Sequence, residues 1–172
     1  MEKQTDKTKF IIQRYDNYIS GANIKGNFLI AFNTFLIGGL ISNYSKIKEL
    51  VIFNPGKTLI DIIVFILSIL CIGAIILVIK AVYPFLKSGN SSIEKYHSHI
   101  FFNSVAEFHN ENTYYESLTK LSDEEFNRDL AHQAFQLAKG LKDKYYFLKW
   151  AMRLVYSELF IILLIITIII IY

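Results

Sequence analysis

Arg14-Tyr15-Asp16-Asn17-Tyr18, followed by Ala22-Asn23-Ile24-Lys25-Gly26, gathers a guanidinium, an ammonium, amides and aromatic rings in one short stretch. Those groups together can neutralise a phosphate, read a base edge and stack on a flat ring. Asp16 and Asn23 are seven residues apart, and Arg14 and Lys25 eleven, so in a helix each pair falls on nearly one face. The same residues just ahead of an apolar run also suit lipid headgroups, with Arg14 and Lys25 paired to lipid phosphate. Spacing alone favours that plainer reading. A second polar set, Asp129, Gln133, Gln136 and Lys144, flanks an apolar helical stripe. Arg128 and Lys144 suit a phosphate, while Asp129 equally suits a basic residue of the N-terminal arm, fastening the two together. Phe101-Phe102 read as core residues packed against that helix.

Other chemistries find less support. His97-x-His99 cannot present both rings on one helical face, because residues two apart point roughly 200° away from each other. His132 reads as a hydrogen-bonded, partly buried histidine, and no metal site is expected. Cys71 is the single cysteine, so neither an internal disulfide nor a thiolate metal cluster is available to the chain. No nucleophile elbow or triad order occurs, and no catalytic residue is expected. Basic residues are scattered, with a net charge of +3, which gives no case for a polycationic nucleic-acid face.

The elements that must carry these residues follow from where the apolar residues lie. Of 172 residues 53% are hydrophobic and 19% charged, and mean hydropathy is +0.34. Three stretches, Asn27 to Ser42, Leu59 to Ile79 and Leu154 to Tyr172, hold only Asp61 and Glu158 as charges. About 20 apolar residues at 1.5 Å each cross a hydrocarbon core of roughly 30 Å, a length that Leu59 to Ile79 and Leu154 to Tyr172 reach and that the shorter Asn27 to Ser42 does not reach by itself; all three are span candidates. The rest has ordinary soluble charge density and is too short for a large catalytic domain. No small-x-small cleavage pattern closes the first apolar run, which is therefore expected to stay in the protein. Span one is the weakest, with Asn33, Thr34, Gly38 and Gly39. Asn27, Thr34 and Gly38 share one of its faces, and Asp61 and Ser68 share a face of span two. Such faces permit close helix packing or line a wet path in an oligomer, and Asp61 reads first as an interfacial residue at the outer end of span two.

Pro84 is expected to end or bend span two, with Tyr83 and Lys80 as interfacial anchors. Phe126, Leu130, Ala134, Leu137, Leu141, Tyr145 and Leu148 recur at spacings of three and four, a stripe on a helix that starts with a Ser122/Glu125 capping box. That helix is expected to run on into span three past Gly140. Ile11, Tyr15, Tyr18 and Ala22 likewise lead into span one. A further helix is expected over Ser92 to Phe108 and a loop over Asn110 to Leu121. Lysines and arginines near the span ends place the arm (Lys3, Lys7, Lys9, Arg14, Lys25) and the middle segment (Lys87, Lys95, Lys142, Lys144, Lys149, Arg153) in the cytoplasm, against Lys46, Lys48 and Lys57 outside.

The expected architecture is all-α: a membrane protein with three transmembrane helices and a small cytoplasmic helical bundle. Its parts are a cytoplasmic amphipathic arm (1–25), transmembrane helix 1 (26–44), an external loop (45–57), transmembrane helix 2 (58–84), a cytoplasmic helical sensor region (85–152) and transmembrane helix 3 (153–172).

Ile12-Gln-Arg-Tyr-Asp-Asn-Tyr-Ile19, then Ala22-Asn-Ile-Lys25 running into span one, Phe101-Phe102 after span two, and Asp129-Leu-Ala-His-Gln133 and Lys144-Tyr145 before span three form an ordered pattern. In that arrangement the chain resembles the transmembrane effector family of Pycsar antiphage systems, from about Phe10 to the third span. The resemblance implies a bacterial inner-membrane protein that senses a cyclic pyrimidine nucleotide, cyclic CMP or cyclic UMP, made by a neighbouring cyclase during phage infection. It implies membrane disruption and growth arrest as the response, with the nucleotide as activating ligand and no other cofactor. The family-like positions are Arg14, Asp16, Asn23, Lys25, Phe101, Phe102, Asp129, Gln133, Lys144 and Tyr145. The corresponding mechanism is a homo-oligomer in membrane lipid that opens or assembles a leak when nucleotide binds, without a nucleic-acid partner. Two rivals stand beside it: a holin-like pore former without nucleotide control, and a membrane adaptor that holds a soluble partner through the Phe126 to Leu148 face.

Overall fold

The computed structural model describes residues 2–83 and 98–171, with side chains from Gln4 onward. Five helices follow in order: α1 (Glu2–Glu49), α2 (Asn54–Val82), α3 (Phe102–Val105), α4 (Glu111–Lys120) and α5 (Asp123–Ile171). Among the described residues there is no strand. The protein is all-α, and α1, α2 and α5 are each long and apolar enough to cross a membrane.

Helices α1 and α5 are unbroken because nothing in their sequence stops them. No proline occurs before Pro55, and Gly21, Gly26, Gly38 and Gly39 do not interrupt α1. A single glycine costs a helix only about 1 kcal/mol, and at Gly38 and Gly39, inside the first span, an opened backbone group would have no water to turn to. Gly140 likewise sits inside α5 without breaking it. The connection between α1 and α2 is only residues 50–53, shorter than the expected 45–57 loop. Lys46 and Lys48 complete the last turn of α1, and Pro55 is accepted in the first turn of α2, where an N–H has no helical partner anyway. Val51 folds back over Gly56, where an added Cβ would lie 2.6 Å from Val51 Cγ1.

Two compact units divide the chain: Met1–Gly21 with Pro84–Asp143, and Ala22–Tyr83 with Lys144–Tyr172. In the second, portions of α1, α2 and α5 pack around two apolar clusters. One contains Ala22, Leu29, Val78, Ala81, Leu148, Ala151 and Val155. The other contains Leu40, Val51, Ile60, Leu67, Cys71, Ile165 and Ile168. Close approach is made possible by Gly26, where a Cβ would meet Val82 Cγ2 at 2.6 Å and Val78 Cγ1 at 3.1 Å. Between helices in lipid, van der Waals fit of this kind takes over the role that water exclusion plays elsewhere. Phe35, Phe65 and Phe160 are exposed, as lipid-facing side chains should be.

The first unit holds the start of α1, α3, α4 and the first part of α5. Here two expectations fail. Of the helix expected over Ser92 to Phe108, residues 92–97 lie outside the described residues, and the remainder contains only the single turn of α3. Ser98 Oγ accepts the N–H groups of Ile100 (3.2 Å) and Phe101 (3.0 Å), and Asp129 accepts that of His99, so these donors are drawn away from any helix. The expected loop over Asn110 to Leu121 is instead helix α4. Asn110 and Thr113 close a reciprocal capping box at its start, with Thr113 N–H donating to Asn110 Oδ1 at 2.9 Å. The box expected for α5 is present: Ser122 N–H and Oγ both donate to Glu125 Oε2, at 2.9 and 2.7 Å. Pro84, Lys87, Lys95 and His97 lie outside the described residues.

Candidate ligand-binding site

Each candidate residue has a definite place. In the first unit Arg14 is exposed, with its Nε–H donating to Tyr18 Oη at 3.0 Å and its guanidinium 5.7 Å from the Tyr18 ring centre. Asp16 is exposed on the same helix. Asp129 is only 1% exposed, and its oxygens accept from Ser98 Oγ (2.8 Å) and from the His99 N–H (2.7 Å). These partners are not basic residues of the arm, which corrects that expectation. Gln133, also buried, donates from Nε2 to Ser98 Oγ at 2.9 Å. Asp129 and Gln133 thus pin the chain at Ser98-His99, and Tyr114 Oη reinforces the pin by donating to the His99 carbonyl at 3.0 Å.

Phe101 is half-buried, but Phe102 is 63% exposed, with the two rings 4.9 Å apart. Phe102 is therefore no core residue, because α3 is a single turn and turns it outward. His132 is half-buried, 3.4 Å from Gln136 Nε2, as the sequence suggests. Glu125, exposed at the start of α5, has its pKa held below the ordinary value of 4.5 by the hydrogen bonds from the Ser122 side chain and backbone.

In the second unit Lys144 is 6% exposed and caps α2. Its ammonium donates to the carbonyls of Ala81 (2.7 Å) and Val82 (3.3 Å) and to Asn23 Oδ1 (3.2 Å), with the Tyr83 carbonyl at 3.5 Å. A cation there meets the negative end of the α2 dipole and the carbonyls the helix leaves unpaired. Burial pulls the Lys144 pKa below its ordinary 10.5, and the oxygen acceptors are what make the ammonium tolerable. Lys144 is thus engaged with α2 and with Asn23.

Lys25 and Tyr145 are differently placed. Both line a groove of about 860 Å³ between α1 and α5, together with Lys149. The groove's other walls are apolar: Phe28, Phe32, Met152, Val155 and Leu159 among them. Two ammonium groups and an exposed phenol ring at one end can hold a phosphate and stack a flat ring. Among the described residues no group of three or more possible metal ligands occurs.

A family model described as Pycsar effector protein domain matches residues 7–171. The chain belongs to the Pycsar effector family. Membership makes it an antiphage defence effector, and its three apolar helices make it a membrane protein. No curated protein and no solved structure gives a match.

Inside its spans this Pycsar effector places Asp61 beside the turn, where Lys48 Nζ donates to it at 2.7 Å and Tyr44 Oη at 2.6 Å. Ser68 Oγ donates to the Val64 carbonyl of its own helix. Asn27, Thr34 and Gly38 are exposed, and a Cβ on Gly38 would meet nothing within 4 Å, whereas at Gly26 α1 is packed tightly within the chain.

Three residues escaped the sequence reading of the site. Lys149, four residues after Tyr145 on α5, was legible from the one-turn spacing that sets both on one side. Asn33 and Glu158 are both 0% exposed. Their signal was a polar residue within an apolar run, but only packing tells a buried one from a lipid-edge one.

Proposed function

We propose that this effector responds to a cyclic pyrimidine nucleotide by assembling or opening a leak in the bacterial inner membrane, as a homo-oligomer, and so arrests growth. The observation that carries this reading is the groove with Lys25, Lys149 and Tyr145 at one end, formed by helices that continue into the spans. A cyclic mononucleotide carries one anionic phosphate and one flat base. Lys25 and Lys149 meet the first and Tyr145 the second, while Arg14 and Asp16 of the first unit are exposed. α1 and α5 run 48 and 49 residues without a break, about 72 Å each at 1.5 Å per residue and more than twice a hydrocarbon core. A ligand that favours one tilt of these helices moves their membrane portions as well, and it shifts the balance only by its preference between the two arrangements. The lysine and arginine distribution favours the N-terminus and the 85–152 region in the cytoplasm, where a cyclase product would be found.

The test is depolarisation and dye entry in cells that make the cognate cyclase product, with calorimetric titration of purified protein by cyclic CMP and cyclic UMP. Wild-type cells should depolarise on cyclase induction, and Lys25→Ala with Lys149→Ala should abolish both the response and the binding heat. An intact response in that double variant, or in Arg14→Ala together with Lys25→Ala, would refute the binding assignment. Retained toxicity after deletion of residues 93–148 would favour a pore former without nucleotide control.

A further inference from the structure

Glu158 is 0% exposed, and neither carboxylate oxygen has a hydrogen-bond partner. Asn33 is equally enclosed: its Nδ2 donates to the Leu29 carbonyl at 2.9 Å, and its Oδ1 has no partner. The register places both at the same level of the second unit. Asn33 lies on α1 between Leu29 of one apolar cluster and Leu40 of the other, and Glu158 lies on α5 between Val155 and Ile165 of those same clusters. At that level α2 offers Ala74 and Cys71, both small and both 0% exposed.

A carboxyl group enclosed in a span without a donor is costly in either protonation state, since hydrocarbon supplies no alternative partner. Intramembrane acids of this kind face a bundle interior or a water-filled path. Helix packing alone gives no reason for one here, because a leucine would fill the position without orphaned oxygens.

We propose that the arrangement described is the closed state of the leak, and that Glu158 lines the leak's wall once the spans separate, with Asn33 beside it. Separation admits water to three orphaned oxygens, so the penalty held in the closed bundle favours opening. An ionised Glu158 on that wall makes the path prefer cations, as acidic side chains do in cation pores. This inference rests on the proposed membrane leak and adds the residue that sets its threshold and its ion preference.

The experiment uses full-length protein in liposomes, with potassium and chloride release recorded after addition of cyclic CMP or cyclic UMP, for wild type, E158Q and E158L. Wild type should release potassium faster than chloride, and E158Q should lower that ratio roughly tenfold, the scale on which one-sign walls concentrate counter-ions. E158L removes the orphaned oxygens, so its melting temperature in detergent should rise and its release should fall. An unchanged ion ratio in E158Q, with wild type leaking, overturns the wall assignment alone. A lowered melting temperature in E158L overturns the closed-state penalty. Wild-type liposomes that release neither ion overturn the leak and this inference together.

Discussion

Lys144 Nζ donates to the carbonyl oxygen of Ala81 across 2.7 Å, setting a buried ammonium on the C-terminal end of α2. The same ammonium reaches Asn23 on α1, so one side chain of α5 ties three helices of the second unit together. From sequence alone Lys144 reads as a phosphate ligand; in the fold its donors are taken by backbone oxygens.

Replacing Lys144 by methionine keeps the stem and removes the charge-assisted bonds, at a cost of about 2 kcal/mol. Thermal unfolding in detergent should report that loss. Asn23→Leu should cost less, because the α2 carbonyls keep their cation. Additive losses in the double variant would argue against direct Lys144–Asn23 coupling.

Two glycines of α1 should behave in opposite ways. Gly26→Ala drives a methyl onto Val82 and Val78, whose branched side chains have little rotamer freedom, and should cost about 2 kcal/mol. Val82→Ala should restore part of it. At Gly38 the space is open, and Gly38→Ala should be neutral or stabilising by up to about 1 kcal/mol through helix propensity. Detergent melting curves of the three variants test the contrast.

Asp129 accepts from Ser98 and His99 while almost wholly buried. Asp129→Ala leaves those donors unpaired, and a loss of about 3 kcal/mol is expected. Amide exchange at His99 should speed up in the same variant. Normal melting and normal exchange, combined with a lost response to the cyclase, would instead make Asp129 a ligand contact.

The start of α5 should be sensitive to acid. The Glu125 carboxyl is held below 4.5 in the folded chain, so its contribution is fully present above that ordinary value and fades as pH falls through the lowered one. Melting temperature should therefore decline on acidification through this window, and Ser122→Ala should flatten that part of the decline. An equal decline in both proteins would remove Glu125 as its source.

Much of the architecture was legible in the chain. Leu59 to Ile79 and Leu154 to Tyr172 are long apolar runs, and such runs in lipid have few alternatives to helix. The absence of proline before Pro55 and between Ser122 and Ile171 let α1 and α5 be read as continuing beyond their spans. Helix α4 was missed although Asn110 and Thr113 carry its cap in plain view, because its apolar stripe is too thin to announce it. Ser98 was missed for another reason: its hydroxyl takes part in bonds with Asp129 and Gln133, far along the chain.

The sequence by itself determined three spans and a helical polar region, since hydrophobicity and helix breaking are local properties of residues and their neighbours. It also gathered the candidate polar residues without sorting them. Only the tertiary structure did that: Lys144 to capping α2 and Asn23 to holding Lys144, Asp129 and Gln133 to pinning Ser98-His99, Lys25 and Tyr145 to a groove, and Glu158 to a place without partners. The physical reason is that a side chain's chemistry depends on which groups and how much solvent surround it. Those surroundings come from residues distant in the chain, brought together by packing that no local pattern records.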